Sequence, residues 1–267
     1  SNCFLGYVIC LEGNLTIALG AGNDGISSAK LKDGDSVDMG DGDDVAYIMI
    51  GGAFDGTLPP TAADINKLDG GSGIDLIAFA QSTGGNGQTL SLTTAGATNF
   101  ENLLGSSYQE TLLGDANDNW ITGREGLDTI YGLAGNDKLS AGIETVFNIR
   151  KTTEFFSSVV NREDYADADS LYGGDGDDEL YGSRGDNTLD GGQGADIIYS
   201  GDGSDTIIIR AGDGGSELAK ADALMDFADG SDIIGIEGIN FSDLTIEQGV
   251  GDYASDVVVK VGAEYLL

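Results

Sequence analysis

Large apolar residues recur every nine residues in the second half of the chain. Leu180, Leu189, Ile198 and Ile207 keep this spacing without a slip, and each stands between two residues that can face outward. Such alternation is typical of a short β-strand with one side chain turned to a core. The six residues between successive strands are rich in glycine and aspartate, which favour tight turns. The pattern therefore predicts very short strands joined by turns, with no room for helices between them.

Four consecutive nonapeptides carry this pattern in register. They occupy residues 173–181, 182–190, 191–199 and 200–208 and follow G-G-x-G-x-D-x-U-x, where U is a large apolar residue. Glycines at positions 1, 2 and 4 permit tight turns with inward carbonyl groups. The acid at position 6 adds a carboxylate oxygen of the kind that Ca²⁺ prefers. Repeats of this type stack into a parallel β-helix. The chain resembles the RTX, or haemolysin-type calcium-binding, family.

The resemblance implies an all-β fold: a right-handed parallel β-roll, or β-helix solenoid, with calcium-binding turns and a C-terminal β cap. In the family two nonapeptides make one coil, so turns on the same side are 18 residues apart and Ca²⁺ lies between them. This spacing pairs Asp178 with Asp196. It also places Asn187 between Asp169 and Asp205. We therefore expect the chain to bind multiple calcium ions.

An earlier block, residues 105–142, has the same register. Its position-6 residues are Glu110, Asn119, Asp128 and Asp137, and its position-8 residues are Leu112, Ile121, Ile130 and Leu139. The first two repeats of this block lack the glycine at position 4. The pattern therefore supports calcium at Asp128 and Asp137 more than at Glu110 and Asn119.

Three isolated copies of the motif lie further upstream and place Asp24, Asp44 and Asp75 at position 6. None has a clear partner 18 residues away, so each is expected to supply only part of a site. The alternative is that these turns merely connect strands. Near the C-terminus, Asp226 and Asp232 in an aspartate-rich turn are candidates for a further ion.

The predicted calcium ligands share a place in these turns and include side-chain oxygens and backbone carbonyls. They are Asp24, Asp44, Asp75, Asn119, Asp128, Asp137, Asp169, Gly174, Gly176, Asp178, Asn187, Gly191, Gln193, Asp196, Asp205, Asp226 and Asp232.

The register divides the chain into five segments. Residues 1–104 are predicted to form irregular coils with excursions, 105–142 a first regular block, 143–168 an insertion, 169–215 a second regular block and 216–267 capping strands. The insertion has no glycine, and its apolar residues recur at helical spacing, which predicts an amphipathic helix. Because the register resumes at Asp169, we expect Asp137 beside Asp178 and Asp128 beside Asp169. The insertion either covers a flank of the β-roll or forms a surface for self-association, another surface protein or a polysaccharide.

Charge narrows the range of partners. The 46 acidic and 12 basic residues give a formal net charge of −34. Such a chain repels nucleic acid and anionic membrane surfaces, so we expect neither as a partner. No run of about 20 apolar residues occurs, and no membrane insertion is expected. The chain also repels itself on compaction unless cations neutralise its turns, which predicts folding coupled to Ca²⁺.

The residue types limit the chemistry. The absence of histidine excludes a Ser-His-Asp triad and His-ligated metal sites within these residues. The chain is therefore not expected to be an enzyme in itself. Cys3 and Cys10 are the only cysteines. A local disulfide and two free thiols both fit their spacing.

Two functions fit these observations. The first is an extracellular calcium-binding module with a structural, surface-layer or adhesive role. The second is the C-terminal export and folding module of a secreted protease, lipase or polysaccharide-modifying enzyme, with catalysis upstream. In both, the resemblance implies type I secretion from a Gram-negative bacterium, followed by calcium-driven folding outside the cell.

Overall fold

The computed structural model describes residues 4–5, 16–28, 36–50, 68–81, 87–93, 97–142, 166–228 and 230–267. Within these residues the chain forms 24 strands. In chain order they are β1 (Phe4–Leu5), β2 (Thr16–Ala18), β3 (Gly25–Ser28), β4 (Ser36–Asp38), β5 (Val45–Ile50), β6 (Leu68–Asp69), β7 (Leu76–Gln81), β8 (Gln88–Ser91), β9 (Ala97–Thr98), β10 (Asn102–Leu104), β11 (Glu110–Leu113), β12 (Trp120–Thr122), β13 (Thr129–Ala134), β14 (Lys138–Ser140), β15 (Ser170–Asp175), β16 (Glu179–Tyr181), β17 (Thr188–Gln193), β18 (Ile197–Tyr199), β19 (Thr206–Arg210), β20 (Ala223–Leu224), β21 (Ile233–Glu237), β22 (Leu244–Gln248), β23 (Val257–Val261) and β24 (Glu264–Tyr265).

These ranges contain no α-helix, and their helical structure is limited to three 3₁₀ turns at Leu218–Lys220, Phe241–Asp243 and Gly251–Tyr253. No helix in the described ranges is long and apolar enough to cross a membrane. The predicted helix in the insertion falls mostly on residues 143–165, and Cys3 and Cys10 precede residue 16. These residues lie outside the described parts of the chain.

Parallel strands form three stacked sheets. A ten-stranded sheet runs β1-β3-β5-β7-β10-β12-β14-β16-β18-β20. Two sheets alternate with it along the chain: β2-β4-β6-β9 in the N-terminal half and β21-β19-β17-β15-β13-β11-β8 in the C-terminal half. Successive strands of the chain thus belong to different sheets, and each coil contributes one strand to each side. This arrangement agrees with a β-roll.

The core follows the nine-residue spacing. Each position-8 side chain of the regular blocks is fully buried between the sheets: Leu112, Ile121, Ile130, Leu139, Leu171, Leu180, Leu189, Ile198 and Ile207 are all 0% exposed. The N-terminal coils continue the same core through Ile26, Val37, Leu68, Ile77 and Leu103. One apolar side chain from each short strand is therefore enough to build a continuous core.

The stacking register survives the insertion. Strand β13 pairs with β15 so that Ile130 lies beside Leu171, and β14 pairs with β16 so that Leu139 lies beside Leu180. These partners are 41 residues apart, whereas partners in uninterrupted coils such as Leu180 and Ile198 are 18 apart. Residues between Gly142 and Ala166 therefore add nothing to the spacing of the coils.

Outward side chains also stack from coil to coil. The rings of Tyr131 and Tyr172 are 4.9 Å apart, and those of Tyr181 and Tyr199 are 5.0 Å apart, both nearly parallel. Lys138 donates to Glu179 at 2.7 Å and lies over the Tyr181 ring. Neighbouring coils are thus joined on their outer faces as well as in the core.

The C-terminal residues change from parallel to antiparallel pairing. Strand β21 is the last strand of the seven-stranded sheet, and β22, β23 and β24 form a separate antiparallel sheet. Val259 and Leu266 of this part are buried against Ile209. Within the predicted capping segment, strands begin at Leu244 and Val257. Phe241–Asp243 forms a 3₁₀ turn before the first of them.

Replacing a position-8 side chain should destabilise the protein far more than replacing an exposed apolar one. Leu180→Ala leaves a cavity in the core and should lower the free energy of unfolding by about 2–5 kcal/mol. The control, Ile233→Ala, shortens a strand residue that is 62% exposed and should cost much less. Urea unfolding in calcium-saturated buffer measures both. Equal losses would show that the inward row is not a packed core.

Candidate metal centre

The turns bring backbones of neighbouring coils so close that side chains are excluded at particular positions. Gly174 and Gly176 have φ of 116° and 139°, a region that favours glycine. A Cβ atom on Gly174 would lie 2.1 Å from the carbonyl oxygen of Leu133, and one on Gly176 would lie 1.8 Å from that of Gly135. At Gly174 and Gly176, glycine is therefore favoured by conformation and by the approach of the coil below.

The position-6 side chains form two rows, one along each side of the stacked coils. The first turn row precedes the strands of the ten-stranded sheet and contains Asp24, Asp44, Asp75, Glu101, Asn119, Asp137, Asp178, Asp196 and Asp222. The second turn row precedes the strands of the seven-stranded sheet and contains Glu110, Asp128, Asp169, Asn187, Asp205 and Asp232.

One hydrogen bond links most successive members of a row. The backbone N–H of Asp178 donates to Oδ1 of Asp196 at 2.8 Å, and that of Asp137 donates to Oδ1 of Asp178 at 2.6 Å. In the second turn row the N–H of Asp128 donates to Oδ1 of Asp169 at 2.7 Å. The expected neighbours Asp137 and Asp178, and Asp128 and Asp169, are thus in direct contact across the insertion.

The three upstream motifs, expected to be isolated, are neighbours in the first turn row. The N–H of Asp24 donates to Oδ1 of Asp44 at 2.6 Å over 20 residues, and that of Asp44 donates to Oδ1 of Asp75 at 2.7 Å over 31 residues. The N–H of Asp75 donates to Oε2 of Glu101 at 2.8 Å. Variable lengths of chain between the motifs hide this adjacency in the sequence.

The second carboxylate oxygen of many position-6 aspartates is buried without a hydrogen-bond donor. Within the described residues this holds for Oδ2 of Asp44, Asp75, Asp128, Asp137, Asp178, Asp196 and Asp205. An ionised carboxylate in this condition is costly unless it is paired or coordinates a metal. A cation bound at these seven oxygens would therefore compensate for the missing hydrogen bonds.

Removal from water raises the pKa of these carboxyl groups. The pKa rises to about 6 for Asp44, Asp137 and Asp205, to about 7 for Asp75, Asp178 and Asp196, and to about 8 for Asp128. The hydrogen bond from the neighbouring N–H opposes the rise, and nearby carboxylates add to it. Without a cation, these carboxyl groups therefore hold a proton up to a higher pH than exposed aspartates do.

Backbone carbonyls of the turns lie close to these oxygens, as at Asp178. A Cβ atom on Gly173 would lie 2.2 Å from Oδ2 of Asp178 and 2.4 Å from the carbonyl oxygen of Gly191 in the next coil. The described residues contain no group of three or more acidic, cysteine or histidine side chains placed so that together they could hold a metal ion. A cation here would therefore be held by one or two carboxylates together with carbonyls. Calcium accepts such mixed, flexible oxygen ligands, so the turns fit Ca²⁺.

The remaining backbone candidates lie in the same turns. Gly191 is at position 1, and a Cβ atom there would lie 2.1 Å from Oδ2 of Asp196. The carbonyl of Gln193 accepts the N–H of Gly176 at 2.8 Å. Asp169 is buried in the second turn row, and burial raises its pKa to about 7.

Three position-6 side chains form hydrogen bonds within their own turns that the aspartates lack. Glu110 Oε2 accepts the N–H of Ser106 at 2.8 Å, and Asn119 Oδ1 accepts the N–H of Asp115 at 2.8 Å. The Asn187 amide donates to two carbonyls of its own turn. In these turns, protein groups form the hydrogen bonds of the position-6 side chain.

Asp226 and Asp232 also have donors for both oxygens. Asp226 accepts the N–H of Ser200 at 2.7 Å and that of Gly201 at 3.0 Å. Asp232 accepts the N–H of Asp205 at 3.2 Å and that of Ala228 at 2.7 Å. Both carboxylates thus bind backbone donors of the last regular coil, and calcium ligation by them remains a prediction.

Sequence reasoning missed Glu101 and Asp222 as members of the first turn row. Asp222 is buried, its Oδ1 accepts the N–H of Asp196 at 3.1 Å, and burial raises its pKa to about 8. Both residues stand two positions before an inward leucine, Leu103 and Leu224. That acid-x-apolar remnant of the nonapeptide was the available signal, without the glycines that usually accompany it.

Comparison with known families agrees with this geometry. Residues 104–142, 165–189 and 172–207 match the family model of the RTX calcium-binding nonapeptide repeat, in four copies. No curated protein matches the chain. RTX repeats bind calcium, as the oxygen-lined turns require. Residues 104–142 and 165–207 therefore carry RTX calcium-binding nonapeptide repeats.

Proposed function

We propose that this chain is an extracellular structural module whose folding is driven by calcium, and not an enzyme in itself. The observation that carries the proposal is the set of buried, donor-free Oδ2 atoms in the two turn rows. Each of them belongs to a carboxylate whose other oxygen accepts a hydrogen bond from the neighbouring coil. A cation at these oxygens would thus stabilise the same contacts that stack the coils.

The energetics favour strong dependence on calcium. An uncompensated buried carboxylate costs several kcal/mol, and the chain has seven with a donor-free oxygen in the described ranges. A site that binds only the folded state contributes about 2.7 kcal/mol at roughly a hundredfold excess of ligand over Kd. A few such sites match the whole net stability of an ordinary domain, about 5–15 kcal/mol.

The same numbers support a location outside the cell. Extracellular calcium modules have Kd values of roughly 10⁻⁴–10⁻³ M, which cytosolic calcium does not reach. We propose that the chain folds after export and then serves a surface-layer or adhesive role, with residues 143–168 available for contacts. We further propose that the coils wind right-handedly, as parallel crossovers do. In this proposal β22–β24 shield the end of the core.

Removal of calcium should strongly destabilise the fold. Titration with EGTA should weaken the strand signal in far-ultraviolet circular dichroism and lower the midpoint temperature of unfolding, and Ca²⁺ should restore both. Mg²⁺ should restore much less, since its octahedral demands suit carbonyl-lined turns poorly. A spectrum unchanged by excess chelator would refute calcium-driven folding.

A position-6 aspartate should matter more than an exposed aspartate of a neighbouring turn. Asp196→Ala removes a buried carboxylate of the first turn row and should lower the number of calcium ions bound and the midpoint temperature in calcium. Asp175→Ala removes an equal charge from an exposed position and should have little effect on either. Isothermal titration calorimetry and thermal unfolding measure both. Equal effects would mean that bulk charge governs calcium binding.

Acid should partly replace calcium. The folded-state pKa values of Asp178 and Asp128, about 7 and about 8, lie above the ordinary value of 3.8. The folded state therefore binds more protons, and its stability without metal should rise as the pH falls from about 8 to about 6. Exposed aspartates do not titrate in this window. Thermal unfolding in metal-depleted buffer is the measurement, and a midpoint that stays flat or falls towards pH 6 would contradict the expectation.

A further inference from the structure

The turn that ends at Asn187 has the same backbone links as its neighbours. Asn187 is buried at position 6 of the second turn row. Its Oδ1 accepts the N–H of Asp169 at 2.9 Å, and its own N–H donates to Oδ1 of Asp205 at 2.8 Å. The coil therefore stacks as an aspartate coil does, and any difference lies in the second atom of the side chain.

That second atom is a donor. Asn187 Nδ2 donates to the carbonyl oxygen of Gly182 at 2.8 Å and to that of Gly185 at 3.0 Å. The orientation of the amide is set by its neighbours. Turning it over would place the NH₂ group against the N–H of Asp169 and the amide oxygen against two carbonyls. The amide thus points two protons at the carbonyls of positions 1 and 4.

Aspartate turns have an oxygen in the corresponding place. A Cβ atom on the position-1 residue Gly182 would meet Asn187 Nδ2 at 3.1 Å. On Gly173 the equivalent Cβ atom would meet Oδ2 of Asp178 at 2.2 Å. The carboxylate oxygen faces this part of the turn without a donor, whereas the amide nitrogen supplies one. An aspartate turn needs a cation there, and the asparagine turn does not.

The charge of the turn supports the same distinction. Residues 182–187 contain one basic and one acidic residue, Arg184 and Asp186, whereas residues 173–178 contain three aspartates. Arg184 also lies 3.6 Å from Asp202 of the next turn on the same side. The Asn187 turn therefore attracts cations less than its counterpart in the first turn row.

We propose that the Asn187 amide takes the place of a calcium ion, so that this turn is closed by protein hydrogen bonds and the second turn row is interrupted between Asp169 and Asp205. The proposal rests on calcium binding by the aspartate turns. According to this proposal, the aspartate turns require the ion, whereas the Asn187 turn is stable without it.

Exchange of asparagine and aspartate tests the proposal. Asn187→Asp should raise the number of calcium ions bound per chain by at least one and should lower the midpoint temperature in metal-depleted buffer. Asp178→Asn is the reciprocal change in the first turn row. It should lower the number of bound ions and raise the metal-free midpoint. Calcium stoichiometry by equilibrium dialysis and thermal unfolding of the full chain are the readouts.

Asn136→Asp is the matched control, since it adds the same charge at an exposed position of another turn and should leave the stoichiometry unchanged. An Asn187→Asp stoichiometry equal to that of the unchanged chain would overturn the inference, because Asn187 would then already belong to a calcium site. If Asn187→Asp does not fold in calcium, an Asp178→Asn variant that keeps its ions or loses metal-free stability overturns it instead. An unchanged chain that binds no calcium at all would refute the proposed function itself.

Discussion

The structure depends on the carboxylates of the position-6 aspartates, whose two oxygens have different roles. Oδ1 of a position-6 aspartate accepts a backbone N–H from the neighbouring coil, as Asp196 does from Asp178. Its Oδ2 is then held inside the turn where no donor reaches it. The hydrogen bond that stacks two coils therefore also creates the demand for a cation. For this reason coil stacking and calcium binding cannot be separated energetically, and a chain with net charge −34 can still be compact when its turns are neutralised.

Glycine makes this arrangement possible. A Cβ atom on Gly176 would lie 1.8 Å from a carbonyl of the coil below, and one on Gly173 would lie 2.2 Å from Asp178 Oδ2. The first contact sets how closely coils approach, and the second leaves the carboxylate in place beside the turn carbonyls. Leu133 and Ser183 occupy position 2 with φ of 87° and 67°, so this position tolerates side chains at the cost of strain. In the regular blocks, position 4 is glycine in every repeat whose position-6 aspartate has a second oxygen without a donor.

The nine-residue spacing was sufficient to predict the regular part of the fold. Leu180 and Ile198 are core residues at the predicted position, and Asp137 meets Asp178 although the insertion lies between them in the sequence. Spacing failed where the chain between motifs varies, so Asp44 and Asp75 were not recognised as neighbours. It also failed at Asp222, which lacks the glycines of the repeat. The pattern could not separate Asn187 from aspartate either, since the two side chains have the same shape and differ in charge and in whether the second atom donates or accepts.

These differences divide the two rows into runs. Stability in a solenoid is carried by contacts between adjacent repeats, so each calcium-dependent contact couples only the coils on either side of it. The first turn row contains the runs Asp44–Asp75 and Asp137–Asp178–Asp196, separated by the donor-supplied Asn119 turn. In the second turn row, the Asn187 amide donates hydrogen bonds within its turn. The first-row turns of the same coils end at Asp178 and Asp196, whose Oδ2 atoms have no donor. One side of these coils is thus held by hydrogen bonds while the opposite side depends on the ion. In the arrangement we propose, such a segment loses its register last as calcium is withdrawn, and it gives the flanking aspartate turns a formed neighbour against which to fold.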